Sequence, residues 1–106
     1  MSDWVDVIPV VDFEPGTSQV VDVDDITVVV FNVDGEFFAL EDLCSHDDSD
    51  LSSGFLHGDQ IECPRHGARF CVRTGAALTP PAYEPVARIA TRVHDGIVQI
   101  RDGRWD

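Results

Sequence analysis

The sequence predicts an all-β protein, because its apolar residues recur mainly at every second position and not at helical spacing. Runs rich in Val, Ile and Phe are separated by residues typical of turns, among them Asp34–Gly35 and Asp95–Gly96. An Asp-Gly pair between two β-branched runs is typical of a two-residue hairpin turn. No window has the pattern of an amphipathic helix. We therefore expect about nine short strands in an antiparallel β-sandwich framework.

Eight segments account for most of these strands. Each is a short run with β-branched or aromatic residues, bounded by residues that favour turns. In chain order they are Val5–Ile8, Gln19–Val23, Ile26–Val33, Glu36–Leu40, Gln60–Glu62, Arg69–Val72, Ala87–Val93 and Ile97–Arg101. The two Asp-Gly turns join the third segment to the fourth and the seventh to the eighth.

The middle of the sequence differs from its ends. Residues 41–59 are polar and rich in Ser, Asp and Gly, and TPPA at residues 79–82 is typical of a rigid turn. A chain of 106 residues is long enough for one buried core and too short for two. We therefore expect a single domain, 1–106, in which the β framework carries a loop-rich insert at about residues 41–82.

The charges are divided unevenly along the chain. Residues 1–64 carry sixteen acids and no Lys or Arg, whereas residues 65–106 carry seven Arg and four acids, which gives a net charge of −13. Nucleic acids are bound by basic patches, so they are excluded as partners. An acidic protein attracts positively charged partners instead. The acidic cluster expected to act in docking consists of Glu41, Asp42, Asp47, Asp48, Asp50, Asp59 and Glu62.

The sequence also predicts a cytoplasmic protein with no membrane partner. The start, MSDWVDVIPVV, has acids where a signal peptide has basic residues. The longest apolar-rich stretch, Ile26–Phe31, is too short to span a bilayer. Three Cys, two of them paired with His, do not make a disulfide framework, which favours a reducing compartment.

Two mixed Cys/His pairs are the candidate metal ligands: Cys44 with His46, and Cys63 with His66. One zinc ion would accept these four side chains, although zinc fingers usually pair Cys with Cys and His with His. A two-iron cluster explains the mixing better, because each iron needs two protein ligands besides the bridging sulfides. Cys44 and Cys63 would hold one iron, and His46 and His66 would hold the other.

These residues resemble a known family. C-S-H, followed after sixteen residues by C-P-R-H-G, resembles the ligand signature of Rieske iron–sulfur proteins. The run ARFCVRTGAAL looks like the small ferredoxins of bacterial ring-hydroxylating oxygenases. FNVDGEFFALEDLCSH, DLSSGFLHGDQIEC and TPPA extend the likeness over roughly residues 26–99.

The resemblance implies a Rieske domain with one [2Fe–2S] cluster per chain, held by Cys44, His46, Cys63 and His66. It further implies that the chain is no enzyme. It would be a monomeric, soluble one-electron carrier between a flavin-dependent ferredoxin reductase and the terminal oxygenase of an aromatic-degrading system.

Sequence differences from the high-potential Rieske proteins of respiratory and photosynthetic complexes indicate a Rieske protein of low potential. Respiratory and photosynthetic members carry a disulfide between the ligand loops, and the matching positions here are Ser49 and Arg65. Those members also place Ser and Tyr hydroxyls near the cluster sulfurs, where this chain has Ala68 and Phe70. Hydrogen bonds to the sulfurs raise the reduction potential, so their loss predicts a potential near roughly −150 mV.

The residues near the candidate ligands have predicted roles of their own. Arg65 is expected to contact a docked partner. Gly67 is expected to adopt a backbone angle that side chains resist. Pro80–Pro81 is expected to shield the cluster and to stiffen the loop that covers it.

The remaining candidates are expected to be structural. His57 and His94 lie beside turns and are expected at the solvated surface. Cys71 is expected to be a packed core thiol. Trp4 and Trp105 are expected to pack together or against the β framework.

Other functions are compatible with the same residues. The alternatives are a structural zinc-binding module, a redox sensor and an iron–sulfur assembly accessory. A detached oxygenase domain would need a mononuclear iron site of two His and a carboxylate. Only His57 and His94 remain for such a site, which argues against it.

Overall fold

Nine strands and two short 3₁₀ helices make up the part of the chain described by the computed structural model, which comprises residues 4–23, 26–43, 50–64, 67–80 and 84–101. The strands are β1 Val5–Pro9, β2 Ser18–Val23, β3 Ile26–Val33, β4 Glu36–Glu41, β5 Phe55–His57, β6 Gln60–Glu62, β7 Arg69–Cys71, β8 Arg88–His94 and β9 Ile97–Arg101. The 3₁₀ helices are Val10–Asp12 and Leu51–Ser53.

The strands form two antiparallel sheets. The larger sheet has six strands in the order β1-β9-β8-β4-β3-β2, and the smaller has three in the order β5-β6-β7. The smaller sheet lies wholly between β4 and β8 in the chain, within the segment expected to be an insert. The last strand, β9, lies between the first strand and β8.

Both predicted Asp-Gly hairpin turns are present. Asp34 and Gly35 have φ values of 53° and 90°, and Asp95 and Gly96 have values of 52° and 75°. Positive φ at both central residues is the geometry of the hairpin turn that Asp-Gly favours. Asn32 supports the first turn, since its Oδ1 accepts a hydrogen bond from the Gly35 N–H over 2.8 Å.

The core consists of two buried clusters on opposite faces of β3. Val29 and Phe31 point into the first cluster, and Val28 and Val30 into the second, as alternation along a strand requires. The first cluster joins the framework to the small sheet; its buried members are Val29, Phe31, Val33, Leu40, Leu51, Ile61, Cys63, Ala68, Phe70, Val72 and Val86. The second comprises Phe13, Val28, Val30, Ala39, Ile89, Val98 and Ile100, so the large sheet curls around it.

All eight predicted strands occur; three have the predicted ends, and in the other five one or both ends are shifted by one residue. The strand Phe55–His57 was missed, because it has only three residues and lies in the polar stretch expected to be a loop. Within the described residues, no helix is both long and apolar enough to cross a membrane.

For several side chains outside the ligand loops, the observed surroundings can be compared with those predicted from the sequence. Trp4 packs against the framework as expected, with the Arg92 guanidinium 4.3 Å from its ring centroid. His57 and His94 are exposed, at 46% and 57% of their side-chain area. The prediction that Cys71 is a packed core thiol is wrong. Cys71 is half-buried and belongs to neither core cluster, because it follows the inward-facing Phe70 on β7 and therefore points to the opposite face. Trp105 lies outside the described residues.

Candidate metal centre

Of the four candidate ligands, Cys63 is described by the structure. It follows β6 directly, and its residue is 0% exposed within the first core cluster. Cys44, His46 and His66 lie outside the described residues, as do Arg65 and Ser49. The predicted ligand set therefore has one member with known surroundings.

Backbone hydrogen bonds close the loop that contains Cys63 and His66. The Cys63 N–H donates to the Ala68 carbonyl over 2.7 Å, and the Gly67 N–H donates back to the Cys63 carbonyl over 3.1 Å. Gly67 has φ +72°, which confirms the prediction that it adopts an angle unfavourable to other residues. A Cβ at Gly67 would meet no atom within 4 Å, so the requirement is conformational and not steric.

Asp42 fixes the loop that contains the first Cys/His pair. The residue is 5% exposed, and its two carboxylate oxygens accept hydrogen bonds from the backbone N–H and the hydroxyl of Ser52, both over 2.7 Å. Its own N–H donates to the Thr27 carbonyl over 2.8 Å. Asp42 thus ties the start of this loop both to its end and to β3.

This burial corrects one prediction about the acidic cluster. Asp42 is enclosed and fully hydrogen-bonded, so it is not part of a surface that a partner touches. Glu62 pairs with Arg69 over 3.1 Å and with His57 over 3.2 Å, and Asp59 pairs with Arg73 over 3.2 Å.

The other members of the acidic cluster are divided between surface and undescribed positions. Asp50 is exposed and Glu41 is half-buried, while Asp47 and Asp48 lie outside the described residues. Since Glu62 and Asp59 already have cationic partners, the negative field near the metal centre is weaker than the count of acids suggests.

Gly54 brings the two loops together, although no local feature of the sequence distinguishes it from the other glycines. A Cβ there would overlap the backbone carbonyl oxygen of Glu62, one residue before Cys63. Gly54 follows the 3₁₀ helix Leu51–Ser53, whose Ser52 is bound by Asp42. Its missing side chain therefore lets the end of the first loop lie directly against the strand that leads into the second.

Comparison with known proteins identifies the family. Residues 3–90 match the Rieske [2Fe-2S] domain. This chain belongs to the Rieske family. The cofactor of that family is a [2Fe–2S] cluster, which favours the iron–sulfur interpretation of the two Cys/His pairs over the zinc alternative.

Two Rieske relatives illustrate the subtype. The 3-phenylpropionate/cinnamic acid dioxygenase ferredoxin subunit of Escherichia coli (strain K12) is 40% identical over 93 residues, which are 87% of each chain. The biphenyl dioxygenase ferredoxin subunit of Pseudomonas sp. (strain KKS102) is 46% identical over 80 residues, covering 74% of this chain and 73% of the relative.

Solved structures give the same result. The ferredoxin of carbazole 1,9a-dioxygenase from Nocardioides aromaticivorans IC177 is similar with a TM-score of 0.90 and 33% identity, over 95% of this chain and 99% of the other. A chain in the complex of reduced oxygenase and oxidized ferredoxin in carbazole 1,9a-dioxygenase has a TM-score of 0.91 and 36% identity, over 95% and 94% of the two chains.

The surroundings of Cys63 fit a Rieske cluster. A thiol that is removed from water and held in a closed loop is a suitable ligand for a buried iron, and the same loop carries His66. The described residues alone contain no group of three or more His, Cys, Asp or Glu side chains that could hold a metal ion. A metal centre therefore requires the undescribed partners of Cys63.

Ala68 and Phe70, at the positions where high-potential Rieske proteins have hydroxyls, are both 0% exposed. Neither side chain can donate a hydrogen bond. Both belong to the same buried cluster as Cys63, so the packed wall beside this thiol is apolar.

Proposed function

We propose that this chain is a one-electron carrier. It receives electrons from a flavin-dependent ferredoxin reductase and delivers them to the terminal oxygenase of a multicomponent system that hydroxylates aromatic rings. The observation that carries the proposal is the likeness, over 95% of the chain, to a chain in a complex of oxygenase and ferredoxin. Its relatives are ferredoxin subunits of dioxygenases, so the chain is a carrier and catalysis belongs to its partner.

Cys44 and Cys63 hold one iron of the cluster in this proposal, and His46 and His66 hold the other. When bound, the cluster supplies reversible uptake of a single electron. The full burial of Cys63 supports a thiolate ligand on the inner side of the site. The exposed Pro80 and the exposed Leu43, which flank undescribed loop residues, support an outer side that a partner can approach.

The potential is proposed to lie at the low end of the Rieske range, near roughly −150 mV. Support comes from the apolar, fully buried Ala68 and Phe70, which offer the cluster sulfurs no hydroxyl donor. A low potential suits delivery of electrons to an oxygenase and does not suit oxidation of a quinol.

A single domain, 1–106, is proposed, with the cluster-binding subdomain at about residues 41–82. The small sheet lies inside this range, and the first core cluster combines its residues with those of β3 and β4. One shared core supports a single cooperative unit.

We also propose a cytoplasmic monomer. Among the described residues Cys71 is a free thiol, which supports a reducing compartment. Exposed apolar side chains are ordinary on the surface of a monomer, and the large ones that the structure describes are Val11, Val20, Leu43, Phe55, Leu78 and Val93.

Electron paramagnetic resonance of the dithionite-reduced protein tests the ligand set and the carrier function together. The expected spectrum is rhombic, with an average g value below about 2, as mixed His/Cys ligation of a two-iron cluster produces. His66→Cys and His46→Ala should abolish or transform it, whereas His57→Ala, which removes an exposed His, should leave it unchanged. A colourless protein with one zinc per chain would contradict the proposal.

A further inference from the structure

A cleft on the outer surface of the large sheet is lined by Arg88, Ala90, Thr91 and Arg101 and has a volume of about 280 Å³. Ala90 on β8 is directly opposite Arg101 on β9. Arg88 precedes Ala90 by two residues and therefore lies on the same face of the sheet. The short side chain of Ala90 leaves room between the two arginines.

The described lining of this cleft has two arginines and no acid, whereas the whole chain has a net charge of −13. Arg101 already interacts with another group, so Arg88 is the arginine open to a ligand. Arg88 is exposed, and no ion pair links it to a carboxylate in the described ranges. Arg69 and Arg73, by contrast, are bound to carboxylates.

The cleft lies at the end of the sheet from which the first ligand loop leaves. Arg88 is paired with Leu40 of β4, and the Glu41 N–H donates to the Ala87 carbonyl over 2.9 Å. Since β4 ends at Glu41, a protein that approached this end of the domain would also lie close to the cleft.

We propose that this cleft binds a carboxylate on an acidic segment of a protein partner. The planar guanidinium of arginine matches a carboxylate with two parallel hydrogen bonds, and Arg88 is free of competing carboxylates in the described structure. Nucleic acid and anionic membrane do not fit, because two arginines cannot offset the repulsion of a polyanion by a chain of charge −13.

The proposal rests on the proposed function in that the partner is one of the electron-transfer proteins. The acidic surface attracts basic regions of such a partner, and the cleft accepts a region of the opposite sign. Two contacts of opposite polarity define one orientation, whereas a uniformly acidic surface would tolerate several.

Titration of the oxidised, ¹⁵N-labelled holoprotein with acetyl-Gly-Glu-Glu-Gly-amide, a peptide with only two carboxylates, tests this, using NMR shifts at about 0.15 M salt, where long-range repulsion is screened. We expect saturable shifts confined to residues 87–91 and 99–101. Arg88→Gln should weaken binding about fivefold, and Arg88→Glu should remove it. Arg92→Gln is the matched control, because Arg92 lies on the same face but is held by Gln99 and Trp4; its binding should equal that of the unchanged protein.

Three results would overturn the proposal: no saturable shifts, equal binding by the Arg88→Gln variant, or binding of inorganic phosphate without binding of the peptide. Circular dichroism of each variant verifies the fold, and the exposure of Arg88 makes unfolding unexpected. The paramagnetic spectrum of the same samples separates the two proposals. A normal Rieske signal without peptide binding would contradict only the proposal of a docking cleft. Absence of that signal in the unchanged protein would contradict the proposal that the chain is an electron carrier.

Discussion

The Asp42 carboxylate illustrates how a residue can be assigned the wrong task from its sequence neighbours. It stands among acids and directly before the first ligand loop, so an exposed position for docking was the natural expectation. Its partner, Ser52, is ten residues away, and only the fold brings the two together. A buried carboxylate that accepts two hydrogen bonds is a structural anchor.

Replacement of Asp42 should therefore destabilise the protein. Asp42→Ala removes two hydrogen bonds and leaves the Ser52 N–H without its acceptor, which is expected to lower the free energy of unfolding by about 2–3 kcal/mol. Urea unfolding of the holoprotein measures this. Asp50→Ala is the control, because Asp50 is exposed and its loss should change stability by less than about 0.5 kcal/mol. Equal stability of the two variants would contradict an anchoring role for Asp42.

Ala68 allows a direct test of the predicted low potential. A serine at this fully buried position should donate a hydrogen bond toward the cluster and raise the reduction potential, by on the order of tens of millivolts. Protein-film voltammetry measures the shift. Ala90→Ser, on the outer face of β8, is the control and should leave the potential where it was. An unchanged potential in the Ala68→Ser variant would show that hydroxyl donors do not set the potential of this site.

At the scale of elements, the strands were predictable because local composition and turn chemistry agree. Ile26–Val33 is a continuous run of mostly β-branched residues between turn signals, and Asp34–Gly35 specifies the hairpin that follows it. The order of strands was not predictable, because the pairing of β1 with β9 joins residues about ninety positions apart. The contact of Gly54 with β6 likewise depends on tertiary approach and has no local signature.

The approach at Gly54 should be essential for cluster retention. Gly54→Ala would place a methyl group against the Glu62 carbonyl and push the first loop away from Cys63, so the purified protein should contain less cluster. Visible absorbance per mole of protein measures the cluster content. Gly58→Ala is the control: its φ of +62° makes alanine strained, by about 1 kcal/mol, but no atom lies in the way. If both variants kept full absorbance, the close contact would have no bearing on the metal centre.

At the scale of the whole molecule, one buried cluster connects the two sheets and contains the Cys63 thiol. A proposed ligand that is also a core residue, as Cys63 is, would link cofactor binding to folding. Removal of the [2Fe–2S] cluster should therefore lower the free energy of unfolding of the entire protein, by more than about 2 kcal/mol. Chemical denaturation of holoprotein and apoprotein, followed by far-ultraviolet circular dichroism, compares the two. A coincident unfolding midpoint would mean that the β framework is indifferent to its cofactor.

The position of β9 between β1 and β8 affects how the chain folds during its synthesis on the ribosome. A ribosome releases the first strand long before the strand that pairs with it, so β1 waits unpaired until residues 97–101 have emerged. The part made first also carries all the acids of residues 1–64 and none of the arginines that later neutralise Glu36, Asp59 and Glu62. Self-repulsion of the nascent half would keep it extended and discourage premature collapse. Completion of the large sheet is thus postponed until residues 97–101 have been made.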